Sequence, residues 1–124
     1  MSIKIKRIYE TFDKSDGYRI LVDRLWPRGV KKEEAHIEEW MKEVGPSAEL
    51  RKWFNHEPEK WKQFLTKYRA ELKGSTAFSE LFSLTARHRV VTLLYSAKNE
   101  HYNQAVALLQ FLGENLKSGA SLLG

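Results

Sequence analysis

Two stretches far apart in the chain carry residue types suited to holding an anion: Asp23-Arg24-Leu25-Trp26-Pro27-Arg28-Gly29 and Tyr95-Ser96-Ala97-Lys98-Asn99. Arg24 and Arg28 can each present a planar fork of N–H donors to a carboxylate or phosphate, and Lys98 adds a compact positive charge. Pro27 fixes its own backbone, Gly29 lets the chain turn sharply and approach a ligand, and Trp26 can stack on a ring. Tyr95 and Ser96 bring hydroxyls. Asn99 and Asn103 bring amides to the start of a helix, where unpaired N–H groups and the helix dipole favour negative charge. Every one of these residues also has an ordinary structural use. Asp23 and Arg24 can form an ion pair at a strand end, Trp26 can lid the core, Pro27-Arg28-Gly29 can be a plain turn, and Lys98 a solvated side chain. Asn99 can cap a helix, and Asn103 can satisfy a neighbouring loop. Only the meeting of the two stretches would make them a site.

Other constellations carry less. His36, His56, His88 and His101 form no HExxH or i, i+4 pair, and the chain has no cysteine, so no metal site is expected and no cofactor is implied. The same lack of cysteine excludes disulfides and thiol nucleophiles. No GxSxG elbow, GxGxxG fingerprint or GxxxxGK[ST] loop occurs, which argues against an ordinary nucleotide-dependent enzyme. His56, Tyr95 and Lys98 are left as groups that could move a proton.

The elements that must position these residues follow from hydrophobic spacing. Ile3 to Ile8 alternates as a strand with one buried face, and Tyr18 to Arg24 reads as a second, central strand. Between them Asp13-Lys14-Ser15-Asp16-Gly17 has turn chemistry. Val90-Val91-Thr92-Leu93-Leu94-Tyr95 is apolar almost throughout, as in a strand covered on both faces. Ile37, Trp40, Met41 and Val44 at i, i+3, i+4 and i+7 predict a helix that Gly45-Pro46 stops. Ser47 can cap a short helix with Leu50, Trp53 and Phe54 inward. Pro58 suits a helix start, and Trp61, Phe64, Leu65, Tyr68 and Leu72 continue one stripe to Gly74. A further helix spans Phe78 to Ala86, with Phe78, Leu81, Phe82 and Thr85 on one side. The last helix is expected from Asn99 or Glu100 to about Gly113, with Tyr102, Ala105, Val106, Leu109 and Leu112 inward.

Strands interleaved with helices predict an α/β fold: a small single domain with a short, mostly parallel sheet and helices packed on it. The domain spans residues 1–124, with a tail from about residue 114 expected to fray. The helical segment from Val30 to His88 is the crossover that makes the second and third strands parallel neighbours. Their carboxyl ends then share one sheet edge, beyond which open α/β sheets bind their ligands. This brings together Arg24, Trp26, Arg28, Gly29, Tyr95, Ser96, Lys98, Asn99 and Asn103 as a basic crevice.

A chain of 124 residues with 42% hydrophobic and 30% charged residues, and with 4 Trp, 5 Tyr and 6 Phe, has the composition of one folded domain rather than a disordered segment. The formal charge of +5 is spread along the chain without a basic block, so an anionic small molecule is admitted and nucleic acid is not favoured. No apolar run approaches a membrane span and no signal-peptide pattern opens the chain, so a cytoplasmic protein without a membrane partner is expected. Nothing in the sequence speaks to an oligomer.

The segment Tyr18-Arg19-Ile20-Leu21-Val22-Asp23-Arg24-Leu25-Trp26-Pro27-Arg28-Gly29 with Lys32 is distinctive. So are Trp40, Pro46-Ser47 with Leu50-Arg51-Lys52-Trp53-Phe54 and His56, Trp61 with Phe64, Tyr68 and Glu71-Leu72, and Leu93-Leu94-Tyr95-Ser96-Ala97-Lys98 with Asn103 and Ala105. Together they resemble the YeaO-like bacterial proteins, part of a domain-of-unknown-function family, from about Ile3 to Leu112. The resemblance implies a compact cytoplasmic α/β fold with no established activity. It also implies that more distant relatives carry a cysteine after the last strand and a Cys-His-Arg at the following helix. This chain has Tyr95-Ser96 and Asn103-Gln104-Ala105 there.

Three functions are compatible with these features. The first is a small-molecule site for a phosphate- or carboxylate-bearing ligand, with Arg24 and Arg28 as clamps. The second is a non-catalytic protein- or nucleic-acid-interaction module, and the third a protein in which the WPRG segment is structural and which acts only through oligomerisation.

Overall fold

A computed structural model describes residues 2–117. Its strands are β1 (Ser2–Arg7), β2 (Tyr18–Leu21), β3 (Glu39–Trp40) and β4 (Val90–Tyr95). They form one parallel sheet in the order β1-β4-β2-β3. The helices are α1 (Ala48–Phe54), α2 (Trp61–Leu72), α3 (Thr76–Arg87) and α4 (Gln104–Lys117). The α/β class and the parallel pairing of β2 with β4 agree with the sequence. In that pairing Ile20 stands opposite Leu93, which on its other side stands opposite Ile5. Ile20 and Leu93 belong to the main apolar cluster, and Ile5 packs against it.

The pattern of each strand follows from which of its faces is covered. On β1, Ile3 and Ile5 pack against the main cluster. Alternating with them, Lys4 and Lys6 reach the Ser15 carbonyl at 2.9 Å and the Asp16 carboxylate at 3.1 Å respectively. β4 is buried on both faces, with Val91, Leu93 and Tyr95 in the main cluster and Leu94 in a second one with Ile8 and Leu21. Thr92 is tolerated inside because its hydroxyl donates to the Asp16 carbonyl at 2.6 Å.

The turn into β2 is tightly specified. The Asp13 carboxylate accepts the Ser15 N–H at 2.8 Å, and Asp16 returns a bond to the Asp13 N–H at 3.1 Å. Gly17 closes it at φ 67°, where a Cβ would lie 2.3 Å from the Val90 carbonyl oxygen, so only glycine fits. Beneath this turn, Asp16 bridges Lys6 and the almost fully buried Arg19. Arg19 also donates to the carbonyls of His36 at 2.9 Å and Ala35 at 3.1 Å.

The helix expected over Ile37 to Val44 is replaced by β3 and a 3₁₀ turn at Lys42–Val44. The Glu38 N–H bonds the Arg19 carbonyl and the Met41 N–H bonds the Leu21 carbonyl, both at 2.9 Å, so the open edge of β2 captures this segment. Its apolar residues divide between the two sides of the sheet. Ile37 and Trp40 cover Leu21 and Leu94, while Met41 and Val44 enter the main core. The helical spacing was thus produced by a chain that wraps the sheet edge.

The other helices follow their sequence signals. Ser47 caps α1 by accepting the Leu50 N–H at 3.1 Å, and Ser75 caps α3 through Phe78 at 3.2 Å. In α3 the buried stripe is Phe78, Leu81, Leu84 and Thr85, with Phe82 only partly covered. α4 begins later than expected and passes Gly113 to reach Lys117. Its buried residues include Ala105, Ala107, Leu108, Phe111 and Leu112, whereas Val106 and Leu109 are half-buried. Of the tail from about residue 114, the helix takes in the part through Lys117, and the remainder, on which the expectation of fraying falls, lies outside the described residues. Among the described residues no helix is long and apolar enough to cross a membrane.

Candidate functional site

The carboxyl ends of β2 and β4 do meet. The Ser96 N–H, just after β4, donates to the Asp23 carboxylate at 3.0 Å, two residues beyond β2. The Asp23 carboxylate also accepts from the Gln104 side-chain amide in the first turn of α4, and its carbonyl accepts the Trp40 indole N–H at 2.7 Å. Asp23 is only 6% exposed and lies at the inner end of a cleft of about 780 Å³. The cleft runs between the loop after β2, α1 with the loop behind it, and the loop from β4 into α4.

Of the nine residues singled out by the sequence, the cleft gathers Arg24, Ser96, Lys98, Asn99 and Asn103. Trp26, Arg28, Gly29 and Tyr95 do not line it. Trp26 packs edge-on to Trp40 and donates its indole N–H to the Val30 carbonyl at 2.7 Å, so it seals the second core. Arg28 is exposed, and its carbonyl accepts the Tyr9 hydroxyl at 2.8 Å. Gly29, at φ 79°, turns the chain at the surface. Tyr95 is 2% exposed in the main core. Burial, helped by the charges of Glu100 and Glu10, pushes its phenol above the ordinary tyrosine value.

Arg24 lines the cleft but its guanidinium is largely committed. Nε donates to the Pro46 carbonyl at 3.0 Å and Nη2 to the Gly45 carbonyl at 2.7 Å, tying the loop after β2 to the entry of α1. Among the described residues Arg24 forms no ion pair with Asp23, the alternative use the sequence left open. The asparagines cap. Asn99 accepts the N–H groups of His101 at 2.9 Å and Tyr102 at 3.1 Å, while Asn103 accepts that of Val106 at 3.0 Å and donates to the Asn99 carbonyl at 2.8 Å. Asn103, rather than Asn99, therefore starts α4.

The cations that remain uncommitted are elsewhere. Arg51 and Lys52 of α1 are exposed on the cleft wall, opposite Lys98 on the loop after β4. Among the described residues none of the three has an ion pair or a side-chain hydrogen bond. Sequence spacing assigned Arg51 and Lys52 only to the outer side of α1, since Leu50 and Phe54 point inward. No signal along the chain said that this outer side would face the β4 loop. Behind α1 the backbone takes two left-handed residues in succession, Asn55 at φ 47° and His56 at φ 56°. Asparagine tolerates this conformation as a helix end, whereas a second such residue stores strain, and it places His56 on the cleft wall.

The Asp23 carboxyl is pushed up by burial, against the bonds from Ser96 and Gln104 and the charge of Arg51. No group of His, Asp and Glu among the described residues has the arrangement of a metal site.

Residues 2–121 match the family described as the inactive DUF488-N3 subclade. The chain is 46% identical over 112 residues to the uncharacterised protein YeaO of Escherichia coli (strain K12), covering 90% of this chain and 97% of that one. It is 41% identical over 110 residues to an uncharacterised protein of Mycobacterium tuberculosis (strain ATCC 25618 / H37Rv), covering 89% and 92% respectively. No solved structure matches.

Proposed function

The chain belongs to the inactive DUF488-N3 subclade, and on that premise we propose that it binds a small phosphate- or carboxylate-bearing molecule in this cleft, in the cytoplasm, without covalent turnover. The observation that carries the reading is the placement of Arg51, Lys52 and Lys98, all without protein partners among the described residues, around one concave space. Exposed cations facing each other across a cleft raise the local concentration of an anion and can close on it from two sides. The anion clamp differs from the one expected, because Arg28 lies outside the cleft and Arg24 is engaged with carbonyls. The subclade's description as inactive accords with a chain that has no cysteine and places a buried tyrosine at the end of β4.

A thermal-shift series with pyrophosphate, nucleotides, sugar phosphates and short carboxylic acids tests it. A ligand present at about a hundredfold over its Kd should stabilise the wild type by about 2.7 kcal/mol, and the Arg51→Ala/Lys98→Ala double variant should lose that gain. If no anion stabilises the protein, or if both proteins gain equally, the reading is wrong.

A non-catalytic protein-interaction module is the second reading, and Leu25 favours it: this large apolar residue is 64% exposed on the same cleft. Nucleic-acid binding by the same cations would instead show an affinity that falls steeply with added salt.

A further inference from the structure

The chain buries two aspartates close to its central strand and treats them oppositely. Asp16, 4% exposed, is matched by two cations, Lys6 and Arg19. Asp23, 6% exposed, forms no ion pair among the described residues: its hydrogen bonds come from neutral donors, the Ser96 N–H and the Gln104 amide, and the charge of Arg51 reaches it only from beyond ion-pair distance. A buried carboxylate without a counter-charge is costly, and such groups concentrate where a ligand completes them. Arg24, its neighbour in sequence, turns its guanidinium to the carbonyls of Gly45 and Pro46 instead. The cleft therefore combines an unmatched carboxylate at its inner end with unmatched cations, Arg51, Lys52 and Lys98, on its outer walls.

We propose that the cleft selects an amino-bearing anion, a molecule with a phosphate or carboxylate at one end for Arg51, Lys52 and Lys98 and an ammonium at the other for Asp23. This rests on the anion-binding reading above and narrows it to ligands carrying both charges. The two ends are kept apart by dielectric. The outer cations are solvent-exposed and screened, so they repel a ligand ammonium weakly, whereas attraction to a carboxylate in the interior is much less screened. Burial already pushes the Asp23 carboxyl up, and an ammonium beside it would favour the ionised form again.

The test compares ω-aminoalkyl phosphates of two to six methylenes with alkyl phosphates and ω-hydroxyalkyl phosphates of the same lengths, by calorimetry on the wild type and on Asp23→Asn. At one chain length the aminoalkyl phosphate should bind the wild type at least about tenfold more tightly than either partner, a difference of about 1.4 kcal/mol. Asp23→Asn should erase that preference and keep the affinity for the alkyl phosphate. If alkyl and aminoalkyl phosphates bind alike at every length, or the hydroxyalkyl series gains as much, the amine selectivity is refuted while the basic cleft stands. If none of the three series binds, the anion-binding reading fails and takes this inference with it. The wild-type comparison needs no variant, so a poorly folding Asp23→Asn would not leave the matter open.

Discussion

Replacing Asp16 by asparagine removes one charge from the most deeply buried ionic cluster and leaves its shape almost unchanged. In the wild type the Asp16 carboxylate accepts from Lys6 at 3.1 Å, from the Asp13 N–H at 3.1 Å and from the Arg19 guanidinium, whose side chain is 2% exposed. Asparagine keeps one acceptor oxygen but strands the Arg19 charge, which then has only the His36 and Ala35 carbonyls and the face of the Phe12 ring at 5.2 Å. Removing one member of a buried pair costs about 3–5 kcal/mol, and the surviving acceptor puts this case at the lower end, about 3 kcal/mol. For a domain of this size that corresponds to a Tm lower by about 10 °C. The loss should also depend on pH in a defined direction. Burial pushes the Asp16 carboxyl up, but Lys6, the Asp13 N–H and Arg19 outweigh it and hold the group below the ordinary carboxylate range. The unfolded chain then binds this proton more readily than the folded protein does. The stabilisation is therefore complete above the unfolded-state pKa of about 3.9 and disappears as pH falls through the lowered folded value. Urea unfolding of both proteins from neutral pH down into acid would show the gap closing. A loss under about 1 kcal/mol at neutral pH, or one that does not shrink in acid, would refute the view that Arg19 depends on this counter-charge.

Asp23 should behave in the opposite sense. Because burial raises its carboxyl, wild-type stability falls relative to Asp23→Asn as pH rises from the ordinary carboxylate value through the raised one, and urea midpoints that diverge the other way would contradict it. Arg24→Ala should lose about 2 kcal/mol by freeing the Gly45 and Pro46 carbonyls, and Arg24→Lys should recover less than half of that in thermal melts, since one ammonium does not reproduce the two-pronged contact. The two outlying glycines should separate cleanly in chemical denaturation. Gly17→Ala drives a Cβ to 2.3 Å from the Val90 oxygen and should cost about 3 kcal/mol or more. Gly29→Ala, at φ 79° with nothing within 4 Å, should cost about 1 kcal/mol of backbone strain alone.

Period and local chemistry determined much of this protein without any knowledge of its tertiary structure. The alternation of β1, the continuous apolar run of β4, the capping serines Ser47 and Ser75 and the stripe Phe64-Tyr68-Leu72 on α2 each depend on neighbours a few residues away. The long helical crossover likewise demanded parallel strands, and parallel strands place their carboxyl ends, with Asp23 and Ser96, on one edge. What remained undecided were competitions between partners distant in sequence. The spacing of Ile37, Trp40, Met41 and Val44 satisfies a helix as well as it satisfies a strand folded over a sheet edge, and the free N–H and C=O groups of β2 settled it. Arg24 could serve a ligand or a carbonyl, and the approach of Gly45 and Pro46 engaged it. Arg51 and Lys52 became part of a cleft only because α1 lies across from the β4 loop. Intrinsic preference chooses among the states of one segment, but which charge meets which is decided where separate segments exclude water together, and only the tertiary structure specifies that.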